Sequence, residues 1–133
     1  MKTLLLLRHA KSGWGDSSAP DFERPLAPRG IADAPRIGVA LQQRGPLPDL
    51  ILSSPAVRAT QTIEAVVKAA ALGITPRFDH NIYGASSGEL IKIVRHIPDT
   101  SFCAIFFFHT RRMPRCCAIP FSRPWSASAA RPT

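Results

Sequence analysis

Arg8 and His9 stand side by side directly after a run of four leucines, Leu4 to Leu7. An arginine fork matches the oxygens of a phosphate, and an imidazole can attack phosphorus or move a proton. A second loaded stretch reads Ser53-Ser54-Pro55 with Arg58 close behind, and a third is His109, which follows the apolar run FCAIFFF. Two arginines and two histidines brought to one place would hold a dianion, and a helix N-terminus beside them would add partial positive charge. A neutral imidazole in that group can form a covalent phosphohistidine. Taken singly, each residue has a plainer role: a histidine at a strand end is commonly structural, and an arginine in a first helical turn is commonly a solvated charge. The joint placement is what favours a phosphate site.

These side chains can meet only if the chain folds to bring them together. Leu4–Leu7 reads as a strand buried on both faces. Residues 11–28 read as a Gly/Ser/Pro/Asp-rich loop, and residues 30–44 carry Ile31, Ala34, Ile37, Ala40 and Leu41 at helical spacing, with Pro35 near the first turns. DLILSS predicts a short buried strand, and SPAVRATQTIEAVVKAAALG a helix with Ser54 as cap, Pro55 at its first position and Gly73 at its end. ITPRF is a weak strand, SSGELIKIVRHI a helix opened by a capping box between Ser86 and Glu89, and FCAIFFF a fourth strand. Strands alternating with helices predict an α/β three-layer sandwich with a mainly parallel sheet. Such sheets bind ligands outside the carboxyl ends of their strands, where Arg8-His9, the Ser53–Arg58 stretch and His109 all fall.

The bulk properties set the remaining bounds. A chain of 133 residues, 45% hydrophobic and 20% charged, is one globular domain by length and composition. No apolar run approaches the length needed to span a membrane, no secretory leader is evident, and a cytoplasmic monomer is expected. The net charge of +8 raises nucleic acid as a partner, but residues 1–100 hold 12 basic and 9 acidic side chains, whereas residues 101–133 hold five arginines and no acid. Basic character is thus mostly a property of the last third, and nucleic acid is disfavoured as a partner. Cys103, Cys116 and Cys117 have neither zinc-site nor disulfide-framework spacing. No cofactor loop or metal-ligand cluster is present in the pattern, so neither a metal nor a cofactor is expected. Residues 1–109 therefore read as an α/β domain with its C-terminal elements missing or disordered. Residues 110–133 read as an irregular basic Pro/Arg-rich tail, either disordered or translated out of frame.

LLLLRHAKSGW, RPLAPRG and PDLILSSPAVRATQT, in that order, resemble the histidine phosphatase superfamily (phosphoglycerate mutase-like), and in particular its small phosphohistidine phosphatase, SixA-type branch. The resemblance covers residues 1 to about 100. It implies that His9 is the nucleophile, with Arg8, Arg58 and His109 clamping the phosphoryl group. His109 departs from the family pattern, because Phe108 stands where the family has glycine and Thr110 where it has asparagine. The acid of related enzymes precedes a tyrosine like Tyr83, which leaves Asp79 or His80 here. Lys11 and Trp14 either line the mouth of the site or are a solvated lysine and a tryptophan covering the sheet edge. The implied activity is that of a phosphatase acting on phosphohistidine in a protein. A phosphatase of small phosphate esters, and an inactive phosphate- or nucleic-acid-binding relative, are the alternatives.

Overall fold

The computed structural model describes residues 3–13, 18–45, 47–98 and 103–108. Among these residues, four strands, β1 (Thr3–Arg8), β2 (Leu50–Ser53), β3 (Arg77–Phe78) and β4 (Cys103–Phe108), alternate with three helices, α1 (Pro28–Arg44), α2 (Val57–Ala69) and α3 (Ser87–Arg95). The sheet is parallel throughout, in the order β1-β4-β2-β3. The α/β fold with a parallel sheet is therefore the one expected from the alternation of elements. Register decides where the chemistry falls: Arg8 pairs with Phe108, and Ser53 with Phe107. Strands β1, β2 and β4 thus end level with one another, and the chain leaves all three at the same edge. Trp14, His109 and the tail expected at 110–133 lie outside the described residues.

Side chains of β2 alternate between two apolar layers, as a strand covered on both faces must. Strand β1, at the edge of the described sheet, is not buried on both faces as its leucine run predicts: Leu4, Leu5 and Leu7 are partly buried and Leu6 is half exposed. Leu5, Leu7 and Ile51 pack with Ala59, Ile63 and Val66 of α2 and with Ile37 and Leu41 of α1. On the other face Leu4, Leu50 and Leu52 meet Ile82, Ile97 and the Leu90, Ile93 and Val94 stripe of α3. Among the described residues, no helix is long and apolar enough to cross a membrane.

Three helix boundaries differ from the sequence reading, each for a local reason. Helix α1 begins at Pro28 rather than residue 30 and continues unbroken through Pro35, although an internal proline removes a hydrogen bond. Pro35 is exposed, while Gly30, Ala34 and Gly38 form the buried stripe that lets α1 lie close to its neighbours. Helix α2 begins at Val57, not Pro55, because Ala56 is still extended (φ −56°, ψ 139°). Ser54 does not cap it; the Ser54 hydroxyl instead accepts the Ala56 N–H at 3.2 Å, within the turn that precedes the helix. At the far end α2 stops at Ala69, and Gly73 is not the terminator. Ala71 takes the left-handed conformation (φ 50°), its N–H donates to Lys68 and that of Leu72 to Val67, the two bonds of a glycine-type cap made by an alanine. The capping box of α3 does form: Ser86 Oγ accepts from the Glu89 N–H, and Glu89 Oε2 accepts from the Ser86 N–H at 2.7 Å.

Two substitutions of opposite sign follow. A Cβ at Gly30 would sit 2.1 Å from the Lys11 carbonyl oxygen, and that carbonyl is pinned by the Ala27 N–H at 2.8 Å. Gly30→Ala should therefore lower stability by about 2–3 kcal/mol in a urea melt, the upper end of overpacking costs. Ala71→Gly should raise it by about 0.5 kcal/mol, since relief of the left-handed alanine is partly offset by unfolded-state entropy.

Candidate active site

His9 follows β1 directly and is partly buried. Its Nδ1 lies 2.7 Å from the carbonyl oxygen of Ala10. A carbonyl can only accept, so Nδ1 carries the proton of this bond, and in the neutral ring Nε2 would be the unprotonated nitrogen. The Ala10 backbone is held in turn, because its N–H donates to Thr62 Oγ1 at 3.1 Å. The Thr62 hydroxyl donates to the Arg58 carbonyl at 2.6 Å, one helical turn back in α2. A chain of three hydrogen bonds thus runs from the imidazole to the first turn of α2.

The loop after His9 is stitched to the RPLAPRG stretch by the same economy. Ser12 and Leu26 form an antiparallel bridge, Gly13 donates to Pro25 at 3.2 Å, and Ala27 donates to Lys11 at 2.8 Å. Gln61 Oε1 accepts the Leu26 N–H at 2.8 Å. Gln61 and Thr62 lie three and four residues after Arg58, on the same helical face. Sequence reading gave neither residue a role, yet their polarity on a face that packs inward was a usable signal. Thr62→Val keeps the shape of this fully buried residue but leaves the Ala10 N–H without its acceptor. Turnover should fall about 10-fold with KM little changed, as loss of orientation rather than of binding predicts, and Thr62→Ser should restore most of it in steady-state assays.

Arg58 is wholly buried. Both terminal nitrogens donate to Asp21, Nη1 to its backbone carbonyl and Nη2 to Oδ2 at 2.8 Å. Asp21 also receives Arg24 Nη2 at 2.9 Å on Oδ1, and the Tyr83 hydroxyl at 3.0 Å on Oδ2. One carboxylate therefore joins two buried arginines and a tyrosine. Burial alone would push the Asp21 carboxyl up, but hydrogen bonds from Tyr83 and Arg58 and the charges of both arginines outweigh it and hold it below its ordinary 3.8. Burial and the bond to Asp21 push the Tyr83 phenol up. Because folding favours the ionised Asp21, the stability it lends is present above its ordinary value and lost as pH falls through the depressed one. The single 3₁₀ turn Asp21–Glu23 that carries this carboxylate is held from outside by aromatic contacts. Phe22 meets Tyr83 edge-on at 5.1 Å and stacks on His80 at 6.3 Å. Sequence reading did not assign Asp21 or Arg24 to the site.

The remaining candidates fall as follows. Arg8 ends β1 with an exposed side chain. The Lys11 side chain is exposed, and its backbone carbonyl anchors Ala27. Asp79 takes the Ser53 carbonyl with its N–H at 2.9 Å, and its Oδ1 accepts both the N–H and the side-chain amide of Asn81. His80 is exposed and lies over Phe22. The structure thus links His9 to the Arg58 turn, and Arg58 to the loop that precedes RPLAPRG. Among the described residues, the His9, Asp21–Arg24 and Arg58 stretches are one connected assembly, and His109 lies outside those residues.

Residues 4–101 match the model of the histidine phosphatase superfamily (branch 1). An uncharacterised chloroplastic protein of Arabidopsis thaliana is 46% identical over 65 residues, 49% of this chain and 30% of that protein. An uncharacterised protein of Mycobacterium tuberculosis is 38% identical over 93 residues, 70% of this chain and 56% of that protein. The chain thus spans 30% and 56% of the lengths of these curated relatives. The crystal structure of an Agrobacterium tumefaciens protein, provisionally described as phosphohistidine phosphatase SixA, superposes with a TM-score of 0.75 at 33% identity. That superposition covers 82% of this chain and 70% of the other.

Proposed function

We propose, from the premise that the chain belongs to the histidine phosphatase superfamily, that it hydrolyses phosphohistidine on a protein through a phosphorylated His9. The observation that best supports this reading is the bond from His9 Nδ1 to the Ala10 carbonyl, which leaves Nε2 as the nitrogen proposed to attack. Nε2 attacks phosphorus, the bond from phosphorus to the substrate's imidazole nitrogen breaks, and that imidazole leaves after taking a proton. Water then attacks the phosphorus on His9, and the bond to Nε2 breaks to release orthophosphate. Arg8, Arg58 and His109 are the proposed clamp, which balances charge on the transferring phosphoryl oxygens. Asp79 or His80 is the proposed proton donor; an imidazole leaves easily once protonated, so this group carries less of the barrier than the clamp does.

The likeness to the Agrobacterium tumefaciens protein supports a protein-borne phosphohistidine over a small ester. The test is a comparison of kcat/KM on a phosphohistidine peptide and on small phosphomonoesters at equal enzyme concentration. An excess for the peptide of about 10²-fold or more is expected, the order that differential transition-state binding supplies. A preference for the monoesters would assign the site to small-molecule chemistry, and turnover of neither would leave a phosphate-binding relative.

A further inference from the structure

We propose, resting on that reading, that Asp21 is the positioning residue of the phosphate clamp, holding Arg58 by its two terminal nitrogens so that the Nε side of the guanidinium is presented to the phosphoryl group. A guanidinium has five N–H donors in a rigid plane. Asp21 takes one from each terminal nitrogen of Arg58, through its carbonyl and its carboxylate. The Nε–H is buried and has no hydrogen-bond partner among the described residues. A buried donor on a cation is costly to leave unmade, and a phosphoryl oxygen is the partner the chemistry of the assembly supplies. Arg58 is fully buried, so its fork cannot be turned by solvent; it is turned by whatever bonds it, and that is Asp21. The same carboxylate fixes Arg24, three residues on, which couples the RPLAPRG stretch to α2. Tyr83 completes the arrangement by donating to the oxygen that Arg58 uses, so that this oxygen holds its place between two donors.

The arrangement has an alternative meaning with the opposite sign: a carboxylate on the clamp could compete with phosphate for it. The geometry favours positioning, because Asp21 occupies the terminal nitrogens and leaves Nε. The experiment compares the wild-type chain with Asp21→Asn and Tyr83→Phe. It measures the thermal melt, kcat and KM on a phosphohistidine peptide, and, independently of turnover, the Kd of orthovanadate by calorimetry. Asp21→Asn should weaken orthovanadate binding and lower kcat by about 10-fold or more, with KM changed by less than about 2-fold, as misplacement of a clamp group does. Tyr83→Phe, which keeps the ring against Phe22, should lower kcat by about 3-fold with little change in the melt, and serves if Asp21→Asn folds poorly. Adding Arg58→Lys to Asp21→Asn should cost much less than Arg58→Lys costs alone, since the two act as a unit. A lowered melt with unchanged kcat and unchanged orthovanadate Kd would overturn the proposal and make Asp21 merely structural. Tighter orthovanadate binding by Asp21→Asn would overturn it in the other direction. A wild-type chain that binds orthovanadate yet turns nothing over would refute the proposed activity, while the orthovanadate arm would still decide the role of Asp21.

Discussion

His9→Ala loses turnover and loses the capacity to take up an acid-labile phosphoryl group. A rate near background, about 10⁵- to 10⁶-fold down, is the scale on which removal of a covalent nucleophile acts. The expectation rests on the tautomer. With Nδ1–H committed to the Ala10 carbonyl, Nε2 is the basic nitrogen, and the Ala10 backbone that orients the ring is fixed by Thr62. The check is incubation with a labelled phosphodonor, followed by counting of label that survives alkali and is lost in acid, as a phosphorus–nitrogen bond is. His96 provides the control. It is exposed at the end of α3 with Nδ1 bonded to the Lys92 carbonyl, so His96→Ala should label and turn over as the wild type does. Undiminished labelling of His9→Ala would remove His9 from the mechanism.

How much of this was legible in the sequence depended on the reach of each interaction. The leucine run needed only its own apolarity to be recognised as β1, and the α3 start needed only a hydroxyl and a carboxylate three residues apart. Both are local. The start of α2 was misplaced because Ser54 has two nearby N–H groups it can accept from, and the turn preceding the helix claims it. The end of α2 was misplaced because glycine is the usual left-handed cap and an alanine does that work here. Pro35 sits near the first turns of α1, and the helix continues through it while Gly30, Ala34 and Gly38 form its buried stripe. The candidate site divides in the same way. His9 and Arg58 announce themselves by type and by strand-end placement. Asp21 does not, since its partners Arg58 and Tyr83 lie 37 and 62 residues away and nothing in the intervening spacing encodes the contact. A surface aspartate in a polar loop is the ordinary reading of such a residue. It becomes a different object only once two arginines are folded against it.

Arg58 is where stability and catalysis can be separated, and the magnitudes differ enough to do it. Arg58→Ala should slow turnover by about 10²- to 10³-fold, the cost of removing one preorganised donor from a developing oxyanion. It should also destabilise the fold, because the side chain is fully buried and its removal opens a cavity beside Asp21. Arg58→Met removes the second effect and keeps the first. A thioether chain fills much of the same volume, and the usual cost of removing one partner of a buried ion pair is the charge left unpaired. Asp21 would not be stranded, since Arg24 still pairs with it at 2.9 Å and Tyr83 still donates to it. Arg58→Lys should regain only part of the lost rate. A single ammonium cannot bond Asp21 through two nitrogens while presenting a third donor to phosphate in the same plane. The expected order of rates is therefore wild type, then Lys, then Met and Ala together, with melts that instead place Met near the wild type and Ala lowest. If Arg58→Met melted normally and also turned over at the wild-type rate, the guanidinium would be only a strut between α2 and the Asp21 turn. The orphaned Nε–H would then need a partner other than the phosphoryl group.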